Sequence, residues 1–264
     1  MNGPRIIAIA NQKGGVGKTT TAINLATALA AIGETVLIMD IDPQGNASTG
    51  LGIDRNNRPL SSYDVLVNGT SVVDASVATG VPNLYLVPST LDLLGIEMEI
   101  APQKDRIQRL RKALCDDRRV GEKFTYILID CPPSLNLLTL NAMGAATSVL
   151  VPLQCEFLAL EGLSQLLETV KQVRAGLNTS LEIQGIVLTM FDGRNNLSSQ
   201  VVADVRAFMG DKVYRTVIPR NVRISEAPSF GKPALLYDLK CSGSQAYLAL
   251  ASEVIQRERK LQAA

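Results

Sequence analysis

Histidine is absent from the 264 residues. That removes the usual side chain for acid–base work near neutral pH and the commonest ligand of catalytic zinc. The four cysteines, Cys115, Cys131, Cys155 and Cys241, are scattered and form no Cys-x-x-Cys pair. A structural zinc site is therefore unsupported, and the thiols read as buried and reduced. No apolar run is long enough to span a bilayer. Met1 to Arg5 lead straight into the first strand, with no room for a signal peptide, so the expected location is cytoplasmic. There are no internal repeats or low-complexity stretches. Neither sign of charge dominates: the formal net charge is +1. Its distribution is uneven, however. From Ile186 onward 11 Lys and Arg stand against 7 Asp and Glu, while the rest of the chain has 15 against 18. A basic last third is compatible with a polyanionic partner but does not establish one.

What is present is an ordinary folding composition, 46% hydrophobic and 19% charged. The length suits one large α/β domain over residues 1–264 with a substantial core. The chain is organised around Lys13-Gly14-Gly15-Val16-Gly17-Lys18-Thr19-Thr20. An apolar run, Ile6 to Ala10, precedes it as a buried strand. From Thr20 to Ala30 the apolar spacing is helical. Strand, Gly-rich loop and helix form the context of a phosphate-binding loop. Glycines let successive N–H groups curl around one anion, and the helix N-terminus adds partial positive charge. Lys18 is placed to reach the β- and γ-phosphates, and the Thr19 hydroxyl to take a position on Mg²⁺. The standard G-x-x-x-x-G-K-[ST] pattern wants glycine where Gln12 stands. A second lysine, Lys13, opens the loop instead, either as a solvated side chain or as a second phosphate contact.

Two further strands end on carboxylates. Thr35 to Asp40 is followed by Ile41-Asp42-Pro43-Gln44-Gly45-Asn46, and Phe124 to Asp130 by Cys131-Pro132-Pro133-Ser134. Carboxylates at the C-terminal ends of parallel strands lie where such sheets bind ligands. Asp40 and Asp42, two residues apart, leave the strand on one side. Asp-Pro and Gln-Gly-Asn are also turn chemistry, and composition does not choose between turn and site. Asp130 fits the Mg²⁺-holding aspartate of phosphate-loop proteins, given the loop upstream. Short helices are predicted over 60–67 and 91–100, longer ones over 104–115, 136–144, 158–177, 201–209 and 244–261. Strands are predicted over 83–88, 148–152, 181–190 and 213–219. The stretch 225–233 reads as a loop, and the run Arg106, Arg109, Arg111, Lys112 as a solvated helix face. Alternating strands and helices predict a three-layer α/β/α fold with a mostly parallel, doubly wound sheet, of the P-loop NTPase class.

Five motifs together resemble the ParA/Soj family of chromosome- and plasmid-partitioning ATPases. They are K-G-G-V-G-K-T-T from Lys13, D-x-D-P-Q-G-N from Asp40, D-C-P-P-S from Asp130, L-T-M-F-D from Leu188 and P-R-N-V-R-x-S-E-A-P-S from Pro219. The first is the deviant Walker A form. The resemblance runs from about Arg5 to Glu253 and suggests the short, chromosomal type without a helix-turn-helix extension. It implies a protein that forms a homodimer on ATP, binds double-stranded DNA without sequence preference, and releases it after hydrolysis. A ParB-type centromere-binding protein would stimulate a slow intrinsic turnover, since no cis arginine finger stands in the two switch segments. Residues Lys13 to Thr20 (Lys13, Gly14, Gly15, Val16, Gly17, Lys18, Thr19, Thr20) would hold the phosphates, with Lys13 reaching the partner subunit's nucleotide. Asp42 would position the attacking water, and Thr19, Asp42 and Asp130 would serve Mg²⁺, partly through water. Pro219 and Asn221 would lie near the adenine, with Met190 a further candidate. Arg194 and Arg223 match DNA-contacting positions, although loop arginines also serve solubility. The location implied is nucleoid-associated, with no stable membrane association.

Three rival readings are also compatible with the phosphate loop. A MinD-like membrane-associated ATPase needs a basic amphipathic helix with bulky apolar residues at the C-terminus. Here Arg257, Arg259 and Lys260 are followed by Leu261-Gln262-Ala263-Ala264, which is poor in bulk, so a core-packing helix is expected. A nitrogenase-type iron–sulfur carrier needs paired cysteines at a dimer interface. A DNA scaffold that uses ATP only as a clamp predicts binding without turnover, which Asp42 argues against.

Overall fold

The computed structural model describes residues 3–263, and side chains through residue 259. Met1, Asn2 and Ala264, and the side chains of residues 260–263, lie outside the described residues, and with them the Lys260 and Leu261-Gln262-Ala263-Ala264 part of the C-terminal helix expectation. Among the described residues eight strands form one sheet: β1 (Arg5–Ile9), β2 (Val36–Asp40), β3 (Val77–Ala78), β4 (Leu84–Val87), β5 (Tyr126–Asp130), β6 (Ser148–Gln154), β7 (Glu182–Phe191) and β8 (Val213–Pro219). Their order is β3-β4-β2-β5-β1-β6-β7-β8. Every neighbouring pair is parallel except the short β3–β4 edge. The helices are α1 (Lys18–Ala31), α2 (Asn46–Gly50), α3 (Val72–Ala75), α4 (Ile96–Ile100), α5 (Arg109–Cys115), α6 (Arg118–Lys123), α7 (Leu137–Ala145), α8 (Ala159–Gly176), α9 (Asn196–Met209), α10 (Val222–Glu226), α11 (Ala234–Tyr237) and α12 (Ser242–Ala263).

The central strands are apolar at every position because the sheet is covered on both faces. Alternation divides them between two cores. Ile6 and Ala8 of β1, Leu37 and Met39 of β2, and Ile127 and Ile129 of β5 enter one. Ile7 and Ile9, Val36 and Ile38, and Tyr126 and Leu128 enter the other, which contains the buried face of α1. By the same period of two, Asp40 and Asp130 leave their strands on the α1 side. They are register partners across β2 and β5, and Asp130 also pairs with Ile9 of β1. Three strand ends thus meet where α1 begins.

Several elements differ from the sequence expectation. The predicted helix over 60–67 is one π-type turn, Asp64–Asn68, whose entry is fixed by Ser61 donating to the Asp64 carboxylate. The helix expected from Lys104 begins at Arg109, because Asn141 on α7 takes the Leu110 N–H (3.2 Å) and the Arg106 carbonyl (2.8 Å). α9 starts five residues early, at Asn196, because the Asn195 side chain caps it through the Leu197 N–H (3.0 Å). Residues 225–233, read as loop, contain the end of α10 and a 3-10 turn, Ala227–Phe230. α12 buries Tyr247, Leu250, Ala251 and Val254 in the α1-side core, as a packing helix does. Among the described residues no helix is long and apolar enough to cross a membrane.

Candidate active site

The loop between β1 and α1 is built around two glycines in the left-handed region, Gly15 (φ +75°) and Gly17 (φ +90°). Other residues adopt that conformation only at a cost. Gly17 has no side chain to cap α1, so the first-turn N–H groups are not taken by a cap. Such N–H groups are free to bind an anion. Thr189, at the end of β7, donates to the Val16 carbonyl (2.9 Å) and fixes the loop from the side. Lys18 is 7% exposed and donates to the Lys13 carbonyl (2.8 Å). Its ammonium therefore lies folded over the loop. Burial lowers its pKa, and the nearby Asp130, Cys131 and Asp42 oppose that. Lys13 does not stand free: its ammonium pairs with Glu156, just beyond β6. Thr19 and Thr20 follow half-buried on the first turn of α1.

The three aspartates are not equivalent. Asp40 is fully buried and accepts from the Ser48 hydroxyl (2.6 Å), the Ser48 N–H (2.9 Å) and the Asp42 N–H (3.3 Å). Burial pushes its pKa up to about 6 against those hydrogen bonds. Its partners make it the anchor of α2. Asp42 adopts the turn reading of its sequence and keeps its charge close enough to act on Lys18. One carboxylate oxygen accepts the Gln44 N–H (3.0 Å) as an Asx turn, while the side chain stays near Lys18. Asp130 is also fully buried, yet neither carboxylate oxygen has a hydrogen-bond partner of good geometry. Burial and the neighbouring Asp40 raise its pKa well above the usual range; the Thr19 hydroxyl and Lys18 partly offset this.

A buried carboxylate so poorly hydrogen-bonded is costly and calls for a cation. Thr19 and Asp130 fit Mg²⁺, which commonly takes one or two carboxylates and completes its shell with phosphates and water. Among the described residues no group of three His, Cys, Asp or Glu forms a metal cage. A site completed by a bound nucleotide does not need one.

Beside the loop, a cleft of about 260 Å³ is lined by Gly17, Thr20, Met190, Pro219, Asn221 and Tyr247 among others. The structure thus brings Met190, Pro219 and Asn221, distant in sequence, against the phosphate loop. Met190 has a positive φ of 52°, unusual for a long side chain and found most often at functional sites. Asn221 caps α10 by accepting the Arg223 N–H (2.8 Å) and donates to the Ser242 hydroxyl (2.9 Å). Arg194 and Arg223 are both exposed, and both are paired. Arg194 binds Asp192 (2.7 Å), and Arg223 binds Glu226 (3.0 Å) and Asp238 (3.6 Å). Sequence reasoning missed Glu156, Thr189 and Ser48. Each acts on a residue 8 to 173 positions away; Thr189 lies inside the L-T-M-F-D motif, whereas no local pattern marks Glu156 or Ser48.

A family described as AAA domain matches residues 4–183. The chain is 65% identical over 259 residues to the chromosome partitioning protein ParA of Caulobacter vibrioides, covering 98% of this chain and 97% of that one. It is 55% identical over 250 residues to the sporulation initiation inhibitor protein Soj of Bacillus subtilis, covering 95% and 98%. Among solved structures it resembles cobyrinic acid a,c-diamide synthase from Mycobacterium smegmatis with bound ADP and magnesium. That match has a TM-score of 0.83 and 36% identity, over 97% of this chain and 96% of the other.

Proposed function

The chain belongs to the ParA/Soj family of chromosome-partitioning ATPases, and from that premise we propose that residues 1–264 form one ATPase unit that couples ATP to DNA binding. The carrying observation is the buried Asp130, without a hydrogen-bond partner of good geometry, beside Lys18 and Thr19 where three strand ends meet the phosphate loop. ATP is the substrate and Mg²⁺ the cofactor. The N–H groups of residues 14–20 cradle the phosphates. Lys18, already held over the loop by the Lys13 carbonyl, exchanges that carbonyl for a phosphate oxygen. Met190, Pro219 and Asn221 form the walls around the adenine. Thr19 and Asp130, with Asp42 through water, would hold Mg²⁺, which neutralises charge on the terminal phosphates.

Hydrolysis transfers the γ-phosphoryl group to water. Asp42 positions the water, and Lys18 stabilises negative charge on the transferring group. Lys13 contributes from the partner subunit of an ATP-dependent homodimer, which requires it to leave Glu156. DNA binds through phosphate contacts from Arg194 and Arg223. A dimer presents two such faces, so ATP converts a weak polyanion site into a useful one by avidity. A ParB-type partner accelerates turnover and thereby releases DNA. The protein is cytoplasmic and nucleoid-associated, without stable membrane association.

The test is binding to random-sequence duplex DNA with ATP, with ADP and without nucleotide. The wild type is expected to bind only with ATP. Lys18→Ala loses that binding together with nucleotide. Arg223→Glu loses it while still binding ATP. DNA binding insensitive to nucleotide removes the switch, and lipid binding under ATP in place of DNA binding moves the protein to the membrane-associated class.

A further inference from the structure

Two clefts meet at the end of β8. The nucleotide-side cleft contains Gly17, Thr20 and Met190. A second, of about 560 Å³, contains Phe191, Asp192 and Arg194. Pro219, Arg220 and Asn221 line both. This tripeptide is therefore the wall between the proposed adenine site and the proposed DNA face. Its main chain is held from both sides. The Arg220 N–H donates to the Phe191 carbonyl (2.9 Å), and Phe191 is the register partner of Pro219. On the other side, the Asn221 side chain ties it to Arg223 and Ser242. A side chain on this tripeptide borders both clefts at once.

The charges on this face are also unequal. Arg194 is held by Asp192, whose pKa that pairing lowers to about 2. Arg223 is held by Glu226 and Asp238. A phosphate must compete with a carboxylate at either one. Arg220 is exposed, and its guanidinium makes no ion pair or hydrogen bond among the described residues; it feels Asp192 only at longer range. It offers a planar donor fork to phosphate without first breaking a direct contact.

We propose that Arg220 contacts a DNA backbone phosphate and carries the state of the nucleotide cleft to the DNA face. The inference rests on the DNA-binding reading above. Such a contact is independent of sequence and adds one neutralised phosphate per protomer.

The experiment measures binding of fluorescent random-sequence duplex at saturating ATP, from about 50 to about 200 mM salt. The proteins are wild type, Arg220→Ala, Arg220→Lys and Arg223→Glu. Saturating ATP removes any contribution from weakened nucleotide binding. Arg220→Ala is expected to lose roughly tenfold in affinity, and its slope of log affinity against log salt to fall by about 1 per protomer. Arg220→Lys keeps the charge and should keep the slope, which also shows that the wall tolerates substitution. Because coupling is reciprocal, DNA should slow release of a fluorescent ATP analogue from the wild type, and do so less from Arg220→Ala. Wild-type affinity and slope in Arg220→Ala, beside loss of binding in Arg223→Glu, would overturn the contact. An undiminished effect of DNA on ATP release would overturn the coupling. If the wild type itself shows no ATP-dependent DNA binding, the parent reading fails and this one with it.

Discussion

Lys13 and Lys18 are five residues apart in one loop and occupy different surroundings. Lys18 is buried and bound by a main-chain carbonyl, a partner without net charge that a phosphate replaces with gain. Lys13 is bound by the Glu156 carboxylate, and the two side chains remain 41% and 33% exposed. An ion pair at that exposure is worth about 0.2–1 kcal/mol. It is thus weak enough to be given up when a nucleotide in the partner subunit offers more negative charge. In Glu156→Gln the lysine has no such pair to lose. ATP-dependent dimerisation, followed by analytical ultracentrifugation, is expected at concentrations lower by up to about fivefold per protomer. Weaker dimerisation in this variant would show that Glu156 keeps Lys13 in its working position instead of retaining it.

Among the elements, α2 shows how a buried carboxylate is used without chemistry. It spans only five residues, Asn46–Gly50, too short to persist alone. Asp40 secures it by receiving both the hydroxyl and the N–H of Ser48, and the same hydroxyl accepts the Ser89 N–H (3.1 Å). Ser89 in turn donates its hydroxyl to the Asp42 carbonyl (2.6 Å). The segment carrying Asp42 is therefore fixed by a short chain of hydrogen bonds that begins at Asp40. Ser48→Ala removes the hydroxyl from a fully buried position and leaves an oxygen of Asp40 and the Ser89 N–H short of partners. The expected cost is about 1–3 kcal/mol in urea unfolding. Turnover should fall as well, because Asp42 loses its support. Unchanged stability and turnover would mean that α2 is held by Ala47 packing alone.

At the scale of the whole molecule, α12 returns the end of the chain to its beginning. Tyr247 meets the Thr21 hydroxyl (3.3 Å) at the start of α1. Two turns further on, Val254 enters the same core. At the far end of the sheet Glu258 is 6% exposed, accepting from Tyr126 on β5 and from Gln184 on β7 (3.3 Å). Burial raises its pKa above the ordinary 4.5; Tyr126, Arg5 and Gln184 oppose the rise and Glu34 adds to it. A carboxyl with a raised pKa in the folded state binds its proton more tightly there than in the unfolded chain. Its favourable contribution is complete below pH 4.5 and is lost as pH rises through the folded-state value. Glu258→Gln has no charge to bury. Its urea midpoint should match the wild type most closely at acid pH and gain on it steadily towards neutral pH. A difference that is constant with pH would assign Glu258 a purely steric role.

The sequence by itself determined the phosphate loop, the strands that end on Asp40 and Asp130, and the parallel layered sheet. These depend on local patterns: continuous apolar runs, glycine spacing, and helical periodicity after Lys18. It also marked Met190, Pro219 and Asn221 through motif resemblance, although nothing local joins them. Only the tertiary structure distinguished the two carboxylates by their partners. Asp40 and Asp130 are both strand-end aspartates, equally buried and in register. Ser48 satisfies one, and the other lacks any partner of good geometry. Likewise no pattern in the chain pairs Lys13 with Glu156 or places Arg220 between two clefts. Hydrogen-bond satisfaction and charge pairing are properties of neighbours in space. Here those neighbours are supplied by loops that the sheet brings together from opposite ends of the chain.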